Sequence, residues 1–239
     1  SGDPDGKGDE NQLSAYDIAV IAKHLLQDFP EVTKYTSKPT ALFSNTQIEN
    51  PNLMLEGMPN YRSGVDGLRV SNSTKGGITF AASTTQNGIH MITVVLGVEA
   101  VDGDPYARFV ATSSLMNYVV RTFVSSIVVK EGDPYGKSKA TVMDGKSETV
   151  LAVAKKDFYI VEKQGSQAEP KIQFKSNQES FRAPVKSGTN LGKLHYTDPD
   201  KIGRGYLEDQ EPTVDMVAGK TVEKSFFLKV WWNEFVRYV

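Results

Sequence analysis

Two apolar runs joined by Asn87-Gly88 constrain the fold of this chain more than any other feature. Both turn residues tolerate the positive φ angles of a two-residue hairpin connection, so the flanking runs, residues 77–85 and 89–98, predict two antiparallel strands. A third apolar run, residues 67–71, lies just before them. The sequence therefore predicts a three-stranded antiparallel sheet in the first half of the chain.

A helix is predicted before this sheet. Ser14 is a suitable N-cap, and Asp17, three residues later, can complete a capping box. Apolar residues follow at helical spacing until Pro30, which ends the helix. A short second helical segment is predicted over residues 31–38, whereas residues 42–52 form a polar stretch with only weak alternation.

Another helix is predicted after the sheet, where Pro105 is suited to the first turn. We expect the apolar residues of this helix to form one stripe that covers the sheet. The stripe comprises Tyr106, Phe109, Val110, Met116 and Val120. Residues 1–122 are therefore predicted to form a domain of helices packed on an antiparallel sheet, which is an α+β fold.

The pattern changes beyond this helix, where short apolar runs separated by turn residues are typical of a small β-sandwich or barrel. These runs are residues 127–129, 149–154, 158–162, 171–174, 193–196 and 214–217. We interpret Gly132-Asp133-Pro134 and Asp144-Gly145 as turns between strands. The sequence thus predicts a domain boundary between residues 122 and 123, and an all-β domain over residues 123–222.

Residues 223–239 predict an amphipathic C-terminal helix. Its broad apolar face carries Phe227, Trp231, Trp232 and Phe235. A helix with this composition that is too short to span a bilayer is suited to lie in the plane of a membrane surface as an anchor. The same face could instead dock on protein, and the sequence leaves both alternatives open.

Composition argues against several classes of function. The 27 basic and 29 acidic residues give a net charge of -2, which provides no positive field for nucleic acid. Cysteine is absent, which excludes disulfides and a thiolate nucleophile. His24, His90 and His195 are far apart in the sequence, so we expect neither a metal site nor a cofactor.

No apolar stretch approaches the ~20 residues that a transmembrane helix needs. The chain opens with a polar, glycine-rich stretch, residues 1–11, which is typical of a loop or linker. Of two alternatives, a cytosolic protein or a truncated piece of an exported one, we expect the second.

Several segments resemble a known family. They are residues 13–19, 54–59, 65–68, 105–109, 111–116 and 226–232, with sequences such as Met54-Leu55-Glu56-Gly57-Met58-Pro59 and Pro105-Tyr106-Ala107-Arg108-Phe109. In these segments, which occur in order along the whole chain, the sequence resembles the low-molecular-mass penicillin-binding proteins with D-alanyl-D-alanine carboxypeptidase activity.

The resemblance implies the later half of a serine transpeptidase or β-lactamase-like domain over residues 1–122, followed by a β-rich domain and an anchoring helix. It also implies a location on the outer face of the cell membrane. There the parent protein would trim the terminal D-alanine from peptidoglycan stem peptides, and β-lactams would acylate it.

That chemistry requires a nucleophilic serine, a proton carrier and donors for the oxyanion. The family supplies them in the motifs Ser-x-x-Lys, Ser-x-Asn and Lys-Thr-Gly. No serine of this chain has lysine three residues later or asparagine two residues later. We therefore expect no catalytic residue in this chain, and we expect it to be inactive alone, with the first two motifs on a missing N-terminal segment that a second chain could supply.

The third motif should follow residues 65–68, where this chain has Arg69-Val70-Ser71 in place of Lys-Thr-Gly. Arg69 keeps a positive charge, but its planar guanidinium does not reproduce an ammonium group. Val70 lacks the threonine hydroxyl, and Ser71 adds a side chain where the family has glycine. By resemblance, these three residues are the candidate substrate-binding residues, and the backbone N–H of Asn72 is a candidate oxyanion donor.

Other candidates are weaker. Lys186-Ser187-Gly188 matches two letters of the third motif, but it lies among the β-domain strands and is predicted to be an ordinary turn. Arg62 and Arg108 are interpreted as solvated or salt-bridging residues. The alternative to a carboxypeptidase is a non-catalytic homologue that serves as a cell-wall binding or scaffold module.

Overall fold

The structure is a computed structural model that describes residues 12–73, 76–100, 103–203 and 205–226 together with residue 236. The chain divides into two compact units, Ser1–Val124 and Ser125–Val239. Of the predicted C-terminal helix, residues 223–239, the structure describes residues 223–226, which are not helical and where Lys224 forms a β-bridge with Gly145, and residue 236. The remainder, including Phe227, Trp231, Trp232 and Phe235, lies outside the described residues.

The first unit begins with helix α1, Ala15–Asp28, whose start confirms the predicted capping box. The Asp17 N–H donates to Ser14 Oγ over 3.2 Å, and the Ser14 N–H donates to Asp17 Oδ2 over 2.8 Å. Two of the free donors at the helix start are thus satisfied. A 3-10 turn, Pro30–Val32, and the short helix α2, Thr33–Thr36, follow.

A hairpin that the sequence did not predict follows α2. Strand β1, Thr40–Phe43, pairs antiparallel with β2, Thr46–Glu49, so the polar stretch of residues 42–52 contains most of a hairpin that was not predicted. Ser44 and Asn45 both adopt positive φ, 45° and 64°, which lets a two-residue turn match the twist of the strands. Every residue of both strands is exposed, so neither strand needs the alternation of apolar and polar residues by which a half-buried strand is recognised.

The predicted three-stranded sheet is confirmed. It consists of β3, Val65–Ser73, β4, Gly77–Gln86, and β5, Ile89–Val98, in that order. The turn between β4 and β5 is Asn87-Gly88, with φ angles of 51° and 73°. β3 therefore pairs with β4 and lies at one edge of the sheet, and β5 lies at the other.

Helix α3, Ala107–Thr122, packs on β4 and β5. The Phe80 and Phe109 rings meet edge to face with centroids 5.5 Å apart, and Met116 is fully buried. The predicted stripe was partly wrong, because Tyr106 precedes the helix as its N-cap and is 40% exposed, while Val110 is 56% exposed. Arg108 and Thr112 are buried in their stead.

The second unit is built from strands, as predicted. They are β6, Phe123–Val129; β7, Pro134–Met143; β8, Thr149–Ala154; β9, Phe158–Lys163; β10, Lys171–Ser176; β11, Phe181–Arg182; β12, Asn190–Thr197; and β13, Thr213–Ala218. Six strands form a sheet in the order β10-β12-β13-β8-β7-β11, and β6 pairs with β9. Their inward residues, among them Leu191, Leu194, Tyr196 and Met216, form one apolar core.

Strand β7 was missed by the sequence analysis, as was the short β11. The turn residue Pro134 is the first residue of β7, and only alternate positions such as Ser138, Ala140 and Val142 are buried. Lys137 and Lys139 occupy outward positions, and the buried positions include Ser138, so the apolar pattern is diluted. A strand whose core face is not strongly apolar shows too little alternation to be recognised.

Candidate functional site

The three residues that align with the third motif, and Asn72 after them, lie consecutively on β3, at the edge of the first unit's sheet. Arg69 is opposite Ala81 on β4, Val70 is opposite Phe80, and Ser71 is opposite Thr79. Arg69 is exposed, while Val70 is half-buried and packs against the core of the unit. The register thus directs the Arg69 side chain to solvent, whereas the Val70 side chain packs against the core and keeps part of its surface accessible.

Arg108 of α3 holds this part of the sheet together. Its Nη1 donates to Ser71 O over 3.1 Å and to Thr79 O over 3.2 Å, and its Nη2 donates to Asn72 Oδ1. One guanidinium therefore connects the helix to adjacent residues of β3 and to the paired strand β4. The Thr79 hydroxyl adds a second bond between the strands, donating to Ser71 O over 3.1 Å.

The interpretation of Arg108 as a solvated or salt-bridging residue was wrong. Its side chain is buried, with 6% of the residue exposed, and its hydrogen-bond acceptors are two backbone carbonyls and one amide. Within the described residues no carboxylate forms an ion pair with it. Desolvation lowers the pKa of Arg108, yet a guanidinium stays protonated at neutral pH, so a positive charge lies beside the candidate strand.

The beginning of β3 is held by α2 and β4. Thr36 Oγ1 donates to Asp66 O over 2.7 Å, and the Ser83 hydroxyl donates to Asp66 Oδ1. A Cβ atom on Gly67 would lie 2.5 Å from Thr36 Oγ1, so glycine is the residue that permits this close approach. β3 is therefore held at its start by these contacts and near Ser71 by the contacts of Arg108.

Arg62 is also a structural residue. Its Nη1 donates to Asn117 Oδ1 over 2.8 Å, and its Nη2 donates to Gln86 Oε1 over 2.7 Å. These bonds connect the loop before β3 to α3 and to the end of β4. Desolvation lowers the pKa of Arg62. The partners in these two bonds are neutral amides, so among the described residues Arg62 acts through hydrogen bonds and not through a salt bridge.

Lys186-Ser187-Gly188 forms a turn before β12 in the second unit. The Ser187 N–H donates to Thr221 Oγ1 over 3.0 Å, and the Gly188 N–H donates to Ala218 O over 2.8 Å. Gly188 has a φ of 82°, which favours glycine. The segment thus makes the local bonds of a turn.

Neither a metal cluster nor a membrane span occurs in the part of the chain that the structure describes. No three His, Cys, Asp or Glu side chains come close enough together there to hold an ion. No helix within the same residues is both long and apolar enough to cross a bilayer.

Two protein families match consecutive parts of the chain. Residues 3–100 match the family described as D-alanyl-D-alanine carboxypeptidase, and residues 123–224 match the C-terminal domain of penicillin-binding protein 5. Among curated relatives, the D-alanyl-D-alanine carboxypeptidase DacA of Haemophilus influenzae is 29% identical over 95% of this chain and 54% of its own length. DacA of Escherichia coli strain K12 is 24% identical over 93% of this chain and 51% of its own length.

Solved structures show the same fold. The structure described as a peptidoglycan synthesis regulatory factor (PBP3) from Streptococcus pneumoniae superposes with a TM-score of 0.86 and is 44% identical, over 92% of this chain and 60% of that one. Penicillin-binding protein 5 from Haemophilus influenzae superposes with a TM-score of 0.60 at 24% identity, over 87% of this chain and 56% of that one. These structures confirm the predicted fold class.

The chain spans about half the length of the curated relatives it matches. The matched segments, their order and the fold agree with the resemblance carried by residues 13–19, 54–59 and 105–116. The chain therefore contains a segment that matches the D-alanyl-D-alanine carboxypeptidase family, residues 3–100, followed by one that matches the C-terminal domain of penicillin-binding protein 5, residues 123–224.

Proposed function

We propose that the chain is part of a serine-type D-alanyl-D-alanine carboxypeptidase that trims peptidoglycan stem peptides and is acylated by β-lactams. The observation that carries the proposal is the edge strand β3, held in place by Arg108 and flanked by the charges of Arg69 and Arg108. A substrate that ends in a carboxylate is attracted by such a field. Arg69, Val70 and Ser71 would contact the substrate, and the Asn72 N–H would support the oxyanion.

The chain should be inactive alone, because it carries neither Ser-x-x-Lys nor Ser-x-Asn. Acyl transfer needs a hydroxyl whose proton a nearby group can remove. We therefore expect a fluorescent penicillin to leave the chain unlabelled, and a covalent adduct on any of its serines would refute the proposal.

Complementation tests the other half of the proposal. The N-terminal part of the Streptococcus pneumoniae protein that this chain does not cover can be added as a separate polypeptide, and penicillin should then label that polypeptide in the presence of this chain. The triple variant Arg69→Lys, Val70→Thr, Ser71→Gly should raise the labelling rate, because it restores the third motif. Substituting the exposed Lys139→Arg in the second unit is the matched control and should leave the rate unchanged.

The competing function, a non-catalytic wall-binding or scaffold module, predicts a different result. Under that reading neither the native chain nor the triple variant would support labelling after the segment is added. The departure from Lys-Thr-Gly favours this alternative, since Val70 supplies no hydroxyl and Ser71 is bulkier than glycine.

A second chain has a natural place at the free edge of β5. The strand has ten residues and contains neither lysine nor proline, the residues that commonly protect an edge. Ile92 and Val94 are half-buried there, and Leu96 is 39% exposed. We therefore expect the chain to associate with itself in a concentration-dependent manner. Val94→Lys should reduce this association. The added N-terminal segment should compete with it by forming a one-to-one complex with the chain. A chain that remains monomeric at all concentrations would contradict this.

The aromatic residues Phe227, Trp231, Trp232 and Phe235 support membrane anchoring and an extracytoplasmic location. We expect the chain to bind phosphatidylglycerol vesicles and the double variant Trp231→Ala, Trp232→Ala to lose binding. The exposed Tyr35→Ala serves as a control with one aromatic side chain removed elsewhere. Unchanged binding by the double variant would instead favour packing of these residues on protein.

A further inference from the structure

The second unit contains a polar cleft on the outward face of its six-stranded sheet. Lys193 and His195 of β12 and Thr213 of β13 line it, and the loop between these strands forms the remaining wall. The loop contributes Lys201, Gly205, Tyr206, Asp209, Gln210 and Glu211. The cleft has a volume of about 620 Å³, which lies within the range of small-molecule sites and far exceeds the space of one water molecule or bare ion.

Unpaired positive charge is concentrated beside the cleft. Lys175 of β10 lies directly opposite Lys193 in the antiparallel register, and like charges in such positions repel. Asp215, the residue opposite Lys193 on the other side, forms its ion pair with Lys155 at 3.8 Å. Within the described residues neither Lys175 nor Lys193 has a carboxylate partner. Lys193 lines the cleft and Lys175 lies beside it on the neighbouring strand, so the pair places two positive charges at one side of the cleft.

The carboxylates of the cleft do not neutralise this pair. Glu211 Oε1 accepts from Lys201 Nζ over 2.7 Å, and Glu211 Oε2 accepts from Thr197 Oγ1 over 2.9 Å. Lys201 and Glu211 thus satisfy one another. Asp209 is the remaining acid of the lining, and it lies on the exposed part of the loop.

The positive charges of Lys175 and Lys193 affect the pKa of His195, which lines the cleft. Desolvation lowers its pKa, and Lys175 and Lys193 lower it further, although Glu211 opposes them. The neutral imidazole, together with Gln210 and Thr213, provides hydrogen-bonding groups without charge. Tyr206 adds a hydroxyl that donates to Asp198 Oδ2 over 3.4 Å, and desolvation and Asp198 raise the pKa of Tyr206, so it keeps its proton.

We propose that this cleft is a second binding site, which holds a peptidoglycan muropeptide by one of its carboxylates between Lys175 and Lys193, with the amide and hydroxyl groups of the ligand on Gln210 and Thr213. The carboxylate follows from the unpaired lysines, and a ligand rich in polar groups follows from the lining. That the ligand comes from peptidoglycan rests on the proposed function. The site would hold the wall polymer on the β-rich unit, independently of acyl transfer.

The test is titration of the full chain with muramyl dipeptide, followed by ¹⁵N NMR. Amide resonances of residues 193–195 and 213 should shift in a saturable manner, with an apparent affinity that falls as salt is added. Lys193→Gln and Lys175→Gln should each weaken binding about ten-fold, the effect of losing one charge-assisted hydrogen bond. Lys193→Arg should retain most of the affinity, because it keeps the charge.

Lys146→Gln is the matched control, because it removes one exposed lysine from a turn of the same unit that does not line the cleft. Equal weakening by Lys146→Gln would overturn the site and indicate general attraction to positive charge. Acetate and inorganic phosphate, tested alone, should bind far more weakly than muramyl dipeptide; equal affinity would overturn a site built for a muropeptide. Penicillin labelling of the complemented chain does not depend on these lysines, so the two proposals can fail separately.

Discussion

The substitution Arg108→Met tests whether the buried guanidinium holds the candidate strand. Methionine keeps an unbranched apolar chain of similar length and removes the charge and all donors. The bonds to Ser71 O, Thr79 O and Asn72 Oδ1 are lost together. Any change in stability therefore reports on these bonds and on the burial of the charge, since most of the packing is preserved.

Two opposing free energies determine the result. Each hydrogen bond from a charged donor contributes roughly 1.5–3 kcal/mol, so three bonds contribute about 6 kcal/mol. Desolvation of the guanidinium opposes this by several kcal/mol, which methionine would recover. Ser71 O also keeps its bond from Thr79 Oγ1. We therefore expect Arg108→Met to lower the free energy of unfolding of the first unit by about 2 kcal/mol.

Urea denaturation followed by circular dichroism measures this loss as a midpoint lowered by about 1 M, for an m-value of roughly 2 kcal/mol/M. Hydrogen exchange of the β3 backbone amides reports on the first unit and not on the second. This exchange should become faster in the variant. Arg121→Met, at an exposed position of the same helix, should change stability by less than about 0.5 kcal/mol. A variant Arg108→Met as stable as the native chain would refute the argument that the bonds outweigh the desolvation.

Three further perturbations have clear directions. Ser14→Ala should lower the free energy of unfolding of the first unit by about 1 kcal/mol in urea denaturation, because it removes the helix cap, and no loss would contradict the capping box. Gly64→Ala should destabilise more than Gly57→Ala in the same assay: both have positive φ, but only at Gly64 would a Cβ lie 2.3 Å from a backbone oxygen, that of Thr85. The pKa of His195 is lowered in the folded state, so its contribution to the free energy of unfolding is fully present above the unfolded pKa of about 6.5 and is lost as the pH falls through the folded pKa. His195→Gln should therefore make the free energy of unfolding depend less steeply on pH in this range. An unchanged slope would argue against the depressed pKa.

The sheet of the first unit was predictable because its determinants are local. Asn87-Gly88 fixes the turn and the register, and the apolar runs on either side fix the strands. The capping box at Ser14 was predictable for the same reason, since its partners lie three residues apart. The domain boundary between residues 122 and 123 stays a prediction.

The β1-β2 hairpin could not be recognised from hydrophobic pattern, because no face of it is buried in the unit. The residue pair Ser44-Asn45 was the available indication, yet a Ser-Asn pair is a weaker hairpin sequence than Asn-Gly. Strand β7 was not predicted for a related reason, since its inward positions include Ser138 and its outward positions carry lysines. Alternation is visible in a sequence only when burial selects for it.

The role of Arg108 could not be predicted because its acceptors are distant in sequence. Ser71 and Thr79 precede Arg108 by 37 and 29 residues, and both accept through their backbone carbonyls. Every residue type has a backbone carbonyl, so the sequence does not identify these acceptors. Arg108 is also absent from the apolar stripe predicted for this helix, so the sequence pattern did not indicate that it is buried. A cation that is costly to bury there must be compensated, and strand carbonyls can do so as well as a carboxylate.

This arrangement bears on the change from Lys-Thr-Gly to Arg69-Val70-Ser71. Arg108 is bound to the β3 backbone at Ser71 O and to the Asn72 side chain, so its position depends on the strand and not on the identity of the Arg69 side chain. The positive charge beside β3 is therefore preserved when residue 69 changes. No hydroxyl replaces the one absent at Val70, because the side chain of the neighbouring Ser71 lies on the opposite face of β3. Of the three departures from the motif, Val70 should consequently limit acylation most, and Val70→Thr alone should recover more of the labelling rate than Arg69→Lys alone. The reverse order would show that the charge supplied by Arg108 does not compensate for the lost lysine.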